Sequence, residues 1–268
     1  MKKISFVCTT YRRYTCVTRI IEQYLQQDYK GDKELIIFNT DIENPMFLDD
    51  SLKNENIIVI NNNIDYKNGL EYKNRGQILR DSISHCNGNY FMLADDDDVY
   101  LPWHLRQAFD GILENGKDAW KPQKSMFSTL QKIEMVQNTL EASVIVKMDR
   151  IRKIGFREDL TGYEGLSWYT KLRDEGQLNE NNTNYIPSYC FNWSDPDIAS
   201  HKQSGDIDNP DNFENHKKQS NDISNKPLKR YGENIKYFYK RYFDFIKENK
   251  NLYPLEFYNN YASYYMNQ

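Results

Sequence analysis

At 268 residues, with 35 Lys plus Arg against 39 Asp plus Glu and a formal net charge of -4, the chain is long enough for one large α/β core. It lacks the overall positive charge of a strong duplex nucleic-acid binder. No stretch reaches the roughly 18 to 20 uninterrupted apolar residues of a membrane span, and Met1-Lys2-Lys3 leads straight into a strand-like run, so a soluble, cytoplasmic chain without a secretory leader is expected.

Ile4 to Cys8 is a short apolar, β-rich run of the kind buried on both faces of a parallel sheet. Polar Thr9, Thr10, Tyr11, Arg12 and Arg13 follow, and then Val17, Ile20, Ile21, Tyr24 and Leu25 recur at the spacing of a helix with one buried face. Leu35 to Phe38 and Ile57 to Ile60 repeat the strand signal. Ile78, Leu79, Ser82, Ile83 and Cys86 repeat the helical one. Tyr90 to Ala94 reads as a fourth strand, and Leu105, Ala108, Phe109, Ile112 and Leu113 as a third helix opened by Pro102. Strands separated by helices predict an α/β fold with a mostly parallel sheet and right-handed crossovers.

Beyond that point Ser143 to Met148 reads as a strand, Leu166 to Leu172 as a helix, and Ser194 to Asn225 as a long polar loop. From Leu228 onward the chain reads as helical and tyrosine-rich, with Tyr231, Ile235, Phe238, Tyr242 and Phe245 three or four residues apart. The expected division is a main α/β domain over 1–205 and a loop with a helical appendage over 206–268. Tyr253 to Tyr265 are read as packing the appendage onto the core, with sugar stacking or a homodimer contact as alternatives. Cys8, Cys16, Cys86 and Cys190 form no C-x-x-C pair and are expected as buried free thiols.

The chemistry concentrates in Asp95, Asp96, Asp97 and Asp98. Four adjacent carboxylates raise one another's proton affinity, so a cation is expected to offset them. In open α/β sheets ligands bind beyond the carboxyl ends of the strands, which is where the strand before Asp95 delivers this run. Hard ions such as Mn or Mg favour carboxylate and phosphate oxygens, so an Asp-x-Asp pair can share an ion with a diphosphate. An EF-hand loop does not fit, because counting from Asp95 the required Gly and Glu positions hold Tyr100 and Arg106. The near P-loop Gly111 to Asp118 lacks the Ser or Thr needed for magnesium and ends a helix instead of starting one.

Three segments, in order over residues 4 to 114, resemble the family 2 glycosyltransferases, which have the GT-A fold. Ile4 to Arg13 resembles the family's first strand and nucleotide loop. Lys73-Asn74-Arg75-Gly76 is similar to its Ala-Arg-Asn-x-Gly motif, and Tyr90 to Pro102 resembles its Asp-x-Asp-Asp segment. The resemblance implies a nucleoside-diphosphate sugar, with a UDP-sugar as the leading choice. Its base would lie near Thr9, Thr10, Tyr11 and Arg12, with Asp41 reaching toward it. Lys73, Asn74 and Gly76 would belong to the donor site. Asp95 would lie near the ribose, Asp96 at the variable position, and Asp97 would be the principal ligand to Mn or Mg with Asp98 in support.

The resemblance also implies inversion, with a carboxylate as general base, a role worth about 10² to 10⁴-fold. The region Gly155 to Leu166 resembles the Gly-x-Glu-Asp segment that carries this base, with Gly165 at the aspartate position. Glu164 is therefore the first candidate and Asp159 the second. His201 matches a histidine metal ligand of some members. The implied acceptor is a saccharide or glycolipid. A modified DNA base is a disfavoured alternative, and a nucleotidyltransferase or a non-catalytic sugar-nucleotide-binding module are the competing classes.

Overall fold

The computed structural model describes residues 2–129, 131–159, 166–180, 185–192, 222–232 and 234–266. Strands β1 (Ile4–Thr10), β2 (Lys33–Asn39), β3 (Ile57–Asn61) and β4 (Tyr90–Leu93) are parallel neighbours in the order β4-β1-β2-β3. Helices α1 (Tyr14–Leu25), α2 (Arg75–Ser84) and α3 (His104–Asn115) occupy the predicted places in the chain.

Alternation along the strands decides which helix covers which face. Ile4, Phe6 and Cys8 of β1 and Tyr90 and Met92 of β4 pack against Val17, Ile20, Ile21 and Tyr24 of α1 and Leu105, Ala108 and Ile112 of α3. Val7 of β1 and Phe91 and Leu93 of β4 pack on the other face. There they meet Leu79 and Ile83 of α2, Ile151 of α4 (Met148–Ile154), and Trp168 and Leu172 of α5 (Leu166–Asp174). Most of these side chains are fully buried, each contributing about 1.5 to 3 kcal/mol of transfer free energy. The result is a three-layer α/β/α core. All four cysteines are buried and free.

The strand predicted over Ser143 to Met148 proves shorter. A 3-10 turn spans Glu141–Ser143, β9 (Ile145–Lys147) runs antiparallel to β4, and α4 already begins at Met148. β6 (Ala119–Trp120) and β10 (Leu178–Asn179) complete the seven-stranded sheet, in the order β10-β6-β9-β4-β1-β2-β3. A second sheet, β5-β11-β7-β8, joins β5 (Val99–Tyr100), β11 (Tyr189–Asn192), β7 (Lys124–Ser128) and β8 (Ile133–Gln137). It was missed because β5 has only two residues, and β7 and β8 mix polar with apolar residues instead of forming an apolar run.

The C-terminal helix, α6 (Asn234–Glu248), begins later than Leu228. Leu228 itself is fully buried and bridges Leu48 as extended chain, and Gly232 takes a left-handed φ of 70° between that segment and the helix. Ile235, Tyr239, Tyr242 and Ile246 of α6 pack with Tyr261 against Val99, Leu101, Trp103, Met126 and Cys190. The Trp103 and Phe243 rings stack at 5.9 Å. This tyrosine-rich packing places α6 directly behind the strand that follows the aspartates. Among the described residues, no helix is long and apolar enough to cross a membrane.

Candidate donor and metal site

Register brings three polar segments to one edge. Thr10 pairs with Asn39 and Val7 with Leu93, so the loops after β1, β2 and β4 leave the sheet side by side at its carboxyl end. The Ala94 amide still donates to the Val7 carbonyl at 2.7 Å, and the Thr40 amide to the Thr10 carbonyl at 3.1 Å. Asp95 therefore starts where the ladder stops.

Each aspartate has its own surroundings. Asp95 is the most open of the four and pairs with the Arg75 guanidinium, whose Nε also donates to Thr9 Oγ1 at 3.2 Å. Asp96, buried, accepts from Thr10 Oγ1 at 2.8 Å and from Arg13 Nη1 at 2.5 Å. Asp97 lies 3.3 Å from Arg13 Nη2. Asp98, 2% exposed, accepts from the Tyr189 hydroxyl and from the Asn192 amide at 3.1 Å, while Asn192 Nδ2 donates to the Asp97 carbonyl at 3.2 Å. Gln23 of α1 ties the run from beneath, donating to the Asp98 carbonyl at 3.2 Å and accepting from the Tyr100 amide at 2.6 Å. Asp98 and Gln23 thus brace the run, while Asp95 and Asp97 face the guanidinium groups of Arg75 and Arg13.

Two arginines face four carboxylates here, and burial sharpens the imbalance. Burial pushes the Asp96 carboxyl up to about 6; Arg13 opposes the rise, and the charge of Asp97 adds to it. Burial drives Asp98 up as well, with Asp97 and Asp95 contributing. A carboxyl whose folded value lies above its ordinary 3.8 holds a proton in the native state that the unfolded chain has already lost. Stability from Asp96 is therefore present below about pH 4 and declines as pH rises to about 6, by up to about 3 kcal/mol. Asp96→Asn is expected to reduce that slope in urea melts run in chelator between pH 4 and 7; an unchanged slope assigns it to another group.

The donor set passes a chemical test for a hard divalent ion. It offers carboxylate oxygens in excess of the local cations, and the buried Asn192 Oδ1 beside them lacks a hydrogen-bond partner. Among the described residues no three His, Cys, Asp or Glu side chains converge as a ready-made cage. The residues fit an ion shared with ligand oxygens.

In the loop after β1, Arg12 adopts a left-handed φ of 52°, uncommon for a residue with a side chain. Its Nε donates to Asp41 at 2.8 Å, its Nη2 lies 3.2 Å from Glu43, and its guanidinium covers the Tyr11 ring at 5.1 Å. Asp41 is buried and also accepts from Asn44 Nδ2 at 2.8 Å. Asp41 thus holds Arg12 in place.

Of the Lys73 to Gly76 motif, the side chain reaching the aspartates is that of Arg75, which is not among the expected site residues. Asn74 caps α2, accepting from the Gln77 amide at 3.0 Å, and donates to the Glu158 carbonyl at 2.6 Å. Gly76 lies against the Arg157 carbonyl. Lys73 is exposed and its amide donates to Gln77 Oε1 at 2.7 Å. Asn74 and Gly76 thus dock the Arg157–Asp159 segment onto α2. Asp159, exposed, is engaged by Arg157 at 2.7 and 3.1 Å, which holds its carboxyl below the usual range. Glu164 and His201 lie outside the described residues.

Tyr189, Asn192 and Asp222 carried no local sequence signal, since each comes to the site from a distant segment. The N-terminus of α1 has no cap from its own Arg13. Asp222 supplies one, its carboxylate accepting from the Thr15 amide at 2.5 Å and its carbonyl from the Tyr14 amide at 3.0 Å. Asp222→Ala is expected to cost about 1 kcal/mol in chemical denaturation, with Asp222→Asn recovering most of it. Equal losses in the two variants would remove the capping role.

No protein-family model and no curated protein matches the chain. Solved structures do. Staphylococcus aureus TarS 1-349 in complex with UDP-GlcNAc is 15% identical with a TM-score of 0.55, over 76% of this chain and 60% of that one. The mannosyltransferase PcManGT from Pyrobaculum calidifontis in complex with GDP-Man and Mn2+ is 12% identical with a TM-score of 0.52, over 84% and 71%. Glucosyl-3-phosphoglycerate synthase from Mycobacterium tuberculosis, in complex with Mn2+, UDP and glucosyl-3-phosphoglycerate, is 12% identical with a TM-score of 0.52, over 90% and 80%. At such identities the likeness establishes architecture, and the mostly parallel sheet flanked by helices is the GT-A fold of glycosyltransferases.

Proposed function

We propose that the chain is a metal-dependent inverting glycosyltransferase that moves a sugar from a nucleoside-diphosphate sugar, a UDP-sugar first among them, to a hydroxyl of a saccharide or glycolipid. One observation carries this reading: the aspartates, the Thr9 to Arg13 loop and Arg75 converge at the carboxyl edge of the sheet in a GT-A fold. The complexes of the similar folds with UDP-GlcNAc, GDP-Man and Mn2+ support it.

The residues divide the work by their chemistry. Arg75, fixed by Asp95 and Thr9, supplies guanidinium donors suited to phosphate or ribose oxygens. Tyr11 and Arg12 present a ring and a stacked guanidinium to the base, with Arg12 aimed by Asp41. A manganese or magnesium ion at Asp97 would supply positive charge to the leaving diphosphate. Glu164 takes the role of general base toward the acceptor hydroxyl. Asp159 is the weaker candidate because its pairing with Arg157 lowers its proton affinity.

Product analysis tests this reading. With a UDP-, GDP- or TDP-sugar and manganese, the nucleoside diphosphate is expected to be released with transfer or slow hydrolysis, and chelator should stop it. Pyrophosphate release from a nucleoside triphosphate would assign a nucleotidyltransferase instead.

A further inference from the structure

The position of Arg13 carries an inference that rests on the metal and diphosphate reading above. Its guanidinium lies where the fork spans two carboxylates, with Nη1 2.5 Å from Asp96 Oδ1 and Nη2 3.3 Å from Asp97 Oδ2. The side chain is 14% exposed, so solvent screens this contact little. The backbone at Arg13 is tied to Asp222 by a bridge, which favours rearrangement of the side chain over that of the loop. Arg75 occupies the other end of the run, where its guanidinium pairs with Asp95. The two arginines are therefore placed differently: Arg13 spans Asp96 and the carboxylate assigned to the ion, and Arg75 meets Asp95.

We propose that Arg13 is a built-in stand-in for the divalent cation, bridging Asp96 and Asp97 until a nucleoside diphosphate draws its guanidinium away and admits the ion to Asp97. A guanidinium and a divalent ion cannot share one carboxylate face without strong repulsion at a few ångströms in a poorly screened site. A diphosphate relieves that conflict. It offers the planar, bidentate oxygen geometry that guanidinium prefers, and it brings the negative charge the ion then shares. Metal and nucleotide should consequently bind with positive coupling, and the coupling must be reciprocal. The device would keep the aspartates from loading a metal ion before the donor arrives.

The test uses the full chain and reads manganese binding directly, by the electron paramagnetic resonance signal of free ion, alone and with UDP or GDP. Wild type is expected to bind manganese weakly alone and at least about tenfold more tightly with nucleotide. Arg13→Gln should tighten manganese binding without nucleotide by about tenfold and lose most of the coupling. Arg13→Lys, which keeps the charge but not the fork, should fall between. Arg75→Gln removes the same charge from the other end and should change manganese binding alone by less than about threefold. Circular dichroism melts establish that each variant is folded; should Arg13→Gln not fold, Arg13→Lys carries the test. Equal tightening in the Arg13 and Arg75 variants reduces the effect to a general field and overturns the proposal. Unchanged manganese binding in Arg13→Gln, in a protein that still binds nucleotide with metal, overturns the proposal alone. Failure of wild type to bind manganese and nucleotide in any combination overturns the metal site and this proposal together.

Discussion

Asp97→Ala is expected to weaken metal-dependent binding of a nucleoside diphosphate by about a hundredfold or more, close to 3 kcal/mol, while leaving the fold intact. The two halves of that expectation have separate reasons. Loss of binding is expected because the substitution removes the carboxylate proposed to hold the ion. Asp98 is held by Tyr189 and Asn192, and Asp96 by Thr10 and Arg13. Retention of the fold follows because Arg13 keeps its 2.5 Å contact with Asp96 when Asp97 is truncated, so no buried guanidinium is stranded. Asp97→Asn keeps the volume and should remain as stable as wild type with the same loss of binding. Calorimetry of UDP or GDP in manganese, beside thermal melts, checks both; wild-type affinity in either variant contradicts the assignment.

Gly76→Ala is expected to destabilise the protein by about 3 kcal/mol, although a Gly to Ala change inside a helix ordinarily helps by about 1. A Cβ at Gly76 would lie 1.8 Å from the Arg157 carbonyl oxygen and 2.7 Å from its carbon. Both obstacles are backbone, so no side-chain rotation relieves them, and either α2 or the Arg157 segment must move. The same segment is tied to α2 by the Asn74 contact to the Glu158 carbonyl and by the Arg80 ion pair with Glu158 at 2.6 Å. Displacing it also disturbs the chain that leads on to Glu164. Urea denaturation should show the loss, and a variant as stable as wild type would mean that the close approach is not maintained in solution.

The legible and illegible parts of the molecule divide along a physical line. The first four strands could be read from their apolar runs and the three helices from their periodicity, and the aspartates because four adjacent like charges need a reason. The Lys73 to Gly76 motif was recognised, but the work of its members was not. Asn74 and Gly76 act through contacts with Arg157 and Glu158, more than 80 residues away. Only Arg75 turns to the aspartates, since the first residue of α2 points over the sheet edge toward Thr9 and Asp95. The second sheet was invisible for a related reason. Tyr189 and Asn192 lie on a four-residue strand whose meaning comes from its pairing with β5 and β7, just behind the aspartate run. Asp222 caps a helix more than 200 residues upstream in the chain, which no local pattern can announce. The late start of α6 follows from Gly232 and from Leu228, an apolar residue placed by helical spacing that is instead consumed by the bridge to Leu48.

The central claim is that the aspartate run, Arg75 and the Thr9 to Arg13 loop form a donor site completed by a divalent ion. The most direct measurement is the thermal shift of the wild-type protein across UDP-, GDP- and TDP-sugars, each with manganese, with magnesium and with chelator. A ligand that binds only the folded state raises its melting temperature, by about 2.7 kcal/mol of added stability at a hundredfold excess over its dissociation constant. At least one donor is predicted to give a shift with metal that chelator removes. The absence of a shift for every donor under all three conditions would contradict it.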